Sequence, residues 1–143
     1  MSGTDGTIIV ELPFPHPKLN PNQAHGGWRT TETLRASTKQ IGYVQGRVAL
    51  ENQSFMPAEQ YALRITFYPP DRRHRDADNL HASMKHYLDG VCQALNINDR
   101  SFREITLAFG EVRKPGAVTV EITELVKSGE AVEVIRQALE ASQ

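Results

Sequence analysis

The strongest constraint on this chain is a change of hydrophobic period across one proline pair. From Tyr61 to Tyr68 the residues alternate: Leu63, Ile65 and Phe67 face one way, Arg64, Thr66 and Tyr68 the other. That is the pattern of a strand with one buried side. Pro69-Pro70 ends it, because proline has no amide for a sheet ladder. Over residues 79–95 the spacing lengthens to the helical one, with Leu80, Met84, Leu88, Val91 and Leu95 on one stripe.

The flanking segments extend this pattern. Residues 7–12 are rich in Ile and Val and read as a strand, and Pro13, Pro15, Pro17 and Pro21 keep the next stretch irregular. Residues 30–50 read as a helix with Leu34, Thr38, Ile41, Val44, Val48 and Ala49 on one face. Gly42 and Gly46 each weaken that helix by about 1 kcal/mol relative to Ala, at a spacing that suits close approach by another backbone. Residues 102–112 and 117–122 read as strands, with Lys114-Pro115-Gly116 suggesting a hairpin between them. Residues 131–139 read as a terminal helix. The expected fold is α/β (α+β): a mixed sheet of about four strands, two main helices and a C-terminal helix, in the order β-α-β-α-β-β-α. Residues 1–143 suit a single domain.

Composition narrows the class. The chain is 39% apolar and 23% charged, as soluble globular proteins are. The single cysteine, Cys92, excludes an internal disulfide and a multi-cysteine zinc site, and suits a reducing cytoplasm. His81 and His86 lie about 140° apart on a helix, so they do not form a zinc pair. No apolar run approaches the roughly 20 residues that span a bilayer, and residues 1–5 do not read as a signal peptide.

The net charge is −1, but it is unevenly spread. Residues 16–47 carry five Lys/Arg (Lys18, Arg29, Arg35, Lys39, Arg47) against Glu32. Residues 64–75 carry four Arg against Asp71, and residues 121–143 carry five Glu against two basic residues. Such a chain can present one positive face to a polyanion.

The chemistry concentrates in Arg75-Asp76-Ala77-Asp78-Asn79-Leu80. In an extended segment residues two apart point the same way, so Asp76 and Asp78 would converge before a helix N-terminus. Two such carboxylates repel unless a cation lies between them, and oxygen ligands suit Mg²⁺ or Mn²⁺. A second reading stands beside this one: an Asp before a helix caps it, worth about 1 kcal/mol, with no metal at all. Asp99 follows the second helix, and about 17 helical residues, about 25 Å, would hold it away from Asp78 unless the chain turns back or the helix ends early. Lys85 and Asp89, at +7 and +11 from Asp78, would share its face on a continuous helix, or form a simple surface pair.

The run Asp76-Ala77-Asp78-Asn79-Leu80, then Lys85 with Leu88-Asp89-Gly90, then Asn98-Asp99, resembles the RusA family of Holliday junction resolvases. Tyr68-Pro69-Pro70-Asp71-Arg72-Arg73 and Leu12-Pro13-Phe14-Pro15 with Asn20 and Asn22 also fit, so the likeness covers roughly residues 8–123. It implies a homodimeric, Mg²⁺-dependent endonuclease, with Mn²⁺ as substitute and no small-molecule cofactor. Such an enzyme binds four-way DNA junctions and makes symmetric paired nicks that leave 5′-phosphates. Asp76, Asp78 and Asp99 match its acidic positions. One spacing departs: the family's lysine position three residues after the Asn is Ala82 here, and Lys85 follows. Lys85 is then a candidate for stabilising phosphate charge. Arg72, Arg73 and Arg75, extended by Lys18, Asn20 and His25, are candidates for phosphate contacts. The competing expectations are a non-catalytic branched-DNA-binding module, with Asp76 and Asp78 only as caps, and a small interaction protein with an acidic C-terminal helix.

Overall fold

Alternating Val, Ile and Leu residues build the sheet, and two small-residue helix faces let the helices close over it. The computed structural model describes residues 6–20, 28–125 and 136–141. In chain order come β1 (Thr7–Pro13), α1 (Trp28–Asn52), β2 (Tyr61–Tyr68), α2 (Ala77–Ser83), α3 (Lys85–Leu95), β3 (Phe102–Phe109) and β4 (Ala117–Glu124). Single 3-10 turns occupy Pro17–Leu19 and Asp99–Ser101. Residues 136–141 are helical, and the first part of the expected terminal helix lies outside the described residues. The α+β class and the four-stranded mixed sheet are as the sequence predicts. None of the described helices is long and apolar enough to cross a membrane.

The strand order is β1-β4-β2-β3. β4 runs antiparallel to both β1 and β2, while β2 and β3 are parallel. The hairpin expected at Lys114-Pro115-Gly116 therefore does not form, because β3 and β4 are not neighbours. β4 takes the central place because its Val118, Val120 and Ile122 are completely buried there. β3, with Ile105 and Phe109 about half exposed, stays at the edge.

One sheet face carries the core. Ile8, Val10, Leu63, Ile65 and Phe67 from the sheet meet Ala49 of α1 and Tyr87, Val91 and Leu95 of α3. The buried side of α1 keeps Thr38 and Ala49 of the stripe expected for it and adds Gly42 and Gly46, while Ile41, Val44 and Val48 of that stripe are exposed. The cause is backbone contact. A Cβ on Gly42 would overlap the Tyr87 carbonyl, and one on Gly90 would overlap the Lys39 carbonyl. A Cβ on Gly46 would come within 2.7 Å of the Ala94 methyl. Small residues on both helices thus outweigh the apolar period in setting the rotation of α1.

The long helix expected over residues 79–95 is broken at Met84 (φ −84°, ψ −7°). The Met84 amide donates to the His81 carbonyl in a tighter three-residue bond at 3.0 Å, and the Ser83 hydroxyl bonds back to the Asn79 carbonyl at 2.9 Å. The sheet edge at β1 is closed by amide side chains. Gln53 pairs with both the N–H and the carbonyl of Ile9, at 2.8 and 2.7 Å, and Gln45 donates to the Glu11 carbonyl at 3.0 Å.

Candidate metal-binding carboxylates

β2 delivers the chain to the site, and Pro69-Pro70 turns it out of the sheet. Asp71 then organises the arginines. Its carboxylate accepts from the Arg73 amide at 2.9 Å and holds Arg75 at 3.0 Å. The Arg73 amide and then the Arg75 guanidinium hold the Asp71 carboxyl below the usual carboxylate range. Arg75 also donates to the carbonyls of Asp71 and Arg73 and lies over the Phe14 ring at 5.3 Å. Its side chain is only 16% exposed. Of the three arginines expected to contact DNA, Arg75 is thus committed to the loop, while Arg72 and Arg73 are exposed. Asp71 was not among the expected functional residues. The signal for it was present, since an Asp two residues before another amide, after a proline pair, favours an Asx turn.

Asp76 is the N-cap of α2, accepting from the Asp78 amide at 2.9 Å. The expectation of an extended Asp76–Asp78 segment before the helix is corrected, because the helix starts at Ala77 and Asp78 lies in its first turn. Both carboxylates are exposed. Neither joins any of the ion pairs found among the described residues, since Arg75 is taken by Asp71 and Lys85 by Asp89. A carboxylate has lone pairs enough for a cap and a cation together.

Asp99 lies elsewhere. It begins the 3-10 turn capped by Asn98, whose side chain accepts from the Arg100 amide at 2.9 Å. The parallel register pairs Tyr61 with Phe102 and Phe67 with Phe109, so Asp99 precedes the end of the sheet where β2 starts. Asp76 and Asp78 follow the end where β2 finishes, and an eight-residue strand is about 26 Å long. A parallel crossover makes this unavoidable, because its helices carry the chain back along the sheet. Asp99 instead shares a shallow polar depression with Asp89 and Cys92. Burial first, then the charges of Asp99 and Asp89, push the Cys92 thiol up to about 12. Among the described residues no three His, Cys, Asp or Glu side chains come together to hold a metal. One chain alone therefore brings Asp76 and Asp78 together without Asp99.

Lys85 stands 3.6 Å from Asp89 as an i,i+4 pair and is 66% exposed. The phase relation to Asp78, reckoned for one continuous helix, does not carry across the break at Met84. Lys18 is exposed on the first 3-10 turn, and Asn20 caps that turn, its amide donating to the Pro17 carbonyl at 3.0 Å. His25 lies outside the described residues.

No model of a known protein family matches this chain. It is similar to an uncharacterized protein of Xylella fastidiosa (strain Temecula1), 38% identical over 126 residues, which cover 86% of this chain and 80% of the relative. The chain belongs to the family of that protein.

Proposed function

We propose that this chain is a metal-dependent, structure-specific DNA endonuclease of the RusA type, acting as a homodimer on four-way junctions by symmetric paired nicks. The observation that carries this reading is the exposed Asp76–Asp78 pair. It lacks an ion-pair partner among the described residues and stands directly after two exposed arginines. Two uncompensated carboxylates on one helix end suit a hard cation. The donor set within one chain holds two of the three acidic ligands that the resemblance implies, without Asp99. A two-fold pairing of copies would bring the partner subunit's Asp99 to it.

Asp76, Asp78 and the partner's Asp99 would hold the metal, which supplies a more acidic water and electrophilic stabilisation of the phosphate. The chain's own part is to place the DNA. Arg72 and Arg73 bind backbone phosphates and fix the strand beside Asp76 without reading bases. Lys85, once drawn from Asp89 by the polyanion, adds positive charge near the cut phosphate. Cytoplasmic location fits a single buried thiol.

Two measurements test the reading. Asp78→Asn should bind a mobile four-way junction and fail to cleave it in Mg²⁺; wild-type cleavage by this variant would sink the assignment. Mixing Asp78→Asn with Asp99→Asn chains should restore nicking of one strand, because one of the two composite sites in a mixed dimer is intact. Sites built within single chains would stay dead in that mixture.

A further inference from the structure

Asp76 is also one wall of a cleft of about 720 Å³, within the range of small-molecule sites. The cleft runs between residues 13–20, the first half of α1 and the segment leading into α2. Phe14, Leu34, Ile41, Leu80 and several prolines give it apolar sides, and the buried Tyr87 lies at its floor. Ser37 and Thr38 in its lining donate to the Leu34 carbonyl and Ser83 donates to the Asn79 carbonyl, and Tyr87, Asn20 and Asn79 add further polar groups. Arg73, His16 and His74 are exposed in its lining, which also includes Asp76.

An apolar slot with the exposed Arg73 guanidinium in its lining complements a nucleotide, which has a flat base on an anionic phosphate. We propose that this cleft takes one unstacked nucleotide of the DNA strand held at Asp76. This rests on the endonuclease reading and deepens it by giving a source of selectivity. In duplex DNA a base enters such a slot only after unpairing and unstacking, at a cost of a few kcal/mol. At a branch point, where stacking is interrupted, part of that cost is already met. The apolar sides take the face of a base, and the larger face of a purine is favoured over that of a pyrimidine.

The test uses the full chain and deoxyadenosine 5′-monophosphate, with amide NMR as the readout. The nucleotide should shift amides of Leu34, Ile41 and Tyr87. Ser37→Leu, which fills the slot, and Ile41→Glu, which charges it, should each weaken that binding at least tenfold. Both positions are on the exposed side of α1, and urea unfolding checks that the variants remain folded. Deoxyribose 5-phosphate should not compete. Shifts confined to other surfaces, equal binding by both variants, or full competition by the sugar phosphate would each overturn the cleft assignment. Junction cleavage separates the two claims. If wild type cleaves and Asp78→Asn does not, the endonuclease stands, and the variants should lose at least tenfold in their preference for junction over duplex. An unchanged preference overturns the cleft alone. If wild type cleaves nothing in Mg²⁺, the endonuclease reading falls, and the nucleotide titration still decides whether the cleft binds a base.

Discussion

The Arg75 guanidinium lies 3.0 Å from Asp71 Oδ1 and donates to the carbonyls of Asp71 and Arg73, so one ion pair closes the loop before α2. The Asp71 carboxyl is held below its ordinary 3.8, first by the Arg73 amide and then by Arg75. A carboxyl lowered by folding contributes stability that is fully present above its unfolded pKa and lost as pH falls through the lower folded value. The loop should therefore stay closed at neutral and mildly acidic pH and open only in stronger acid. An NMR titration that follows the Arg73 amide with the Asp71 carboxyl checks this; an amide indifferent to that titration contradicts it.

Asp76 has two roles that substitution can separate. Asn caps a helix about as well as Asp, whereas Ala costs about 1 kcal/mol. Asp76→Asn should therefore keep nearly full stability and Asp76→Ala should lose about that much, while both lose Mn²⁺ binding and junction cleavage. If Asp76→Asn keeps metal and cleavage, Asp76 is a cap only.

Arg72 and Arg73 differ from Arg75 in being exposed. Replacing both with Gln should weaken junction binding and flatten its dependence on salt, by about 0.9 in the log–log slope for each phosphate no longer neutralised. Stability should change by no more than about 0.5 kcal/mol. A salt slope equal to that of wild type removes both from the interface.

The contact between α1 and α3 makes a packing prediction. Gly42→Ala sets a methyl against the Tyr87 carbonyl and should cost about 1–3 kcal/mol, as overpacking does, despite the helix propensity gained. Val44→Ala, on the exposed face, should stay within about 0.5 kcal/mol. Urea midpoints measure both, and equal midpoints would mean the helices do not meet at Gly42.

Cys92 is buried and its thiol is pushed up to about 12. The native chain should resist iodoacetamide at pH 8 and react at once in denaturant, since only the thiolate attacks. Rapid native alkylation would mean that the depression beside Asp89 and Asp99 opens.

Much of the fold was legible because its signals are local. The alternation through Leu63, Ile65 and Phe67 and the prolines after Tyr68 mark β2 with no partner in view. Two features were hidden because they depend on distant contacts. The rotation of α1 follows from Gly42 and Gly46 meeting α3, which no period in α1 alone announces. The position of β4 depends on competition between β1, β2 and β3 for Val118, Val120 and Ile122. The separation of Asp99 from Asp78, by contrast, was legible in the length of the intervening helix, and the parallel β2 and β3 fix it. The two carboxylates at Asp76 and Asp78 were visible as a pair, but the start of α2 at Ala77 made them cap and first turn rather than extended neighbours.

The glutamines at the β1 edge limit how copies can join. With Gln45 and Gln53 occupying backbone groups of Ile9 and Glu11, that border of the sheet is obstructed to another strand, and among the described residues β3 is the border left to receive one. A sheet with a single receptive border has a valence of one. Strand-to-strand addition of two copies ends with the pair, because each has used its only free side, and so it cannot propagate into a filament.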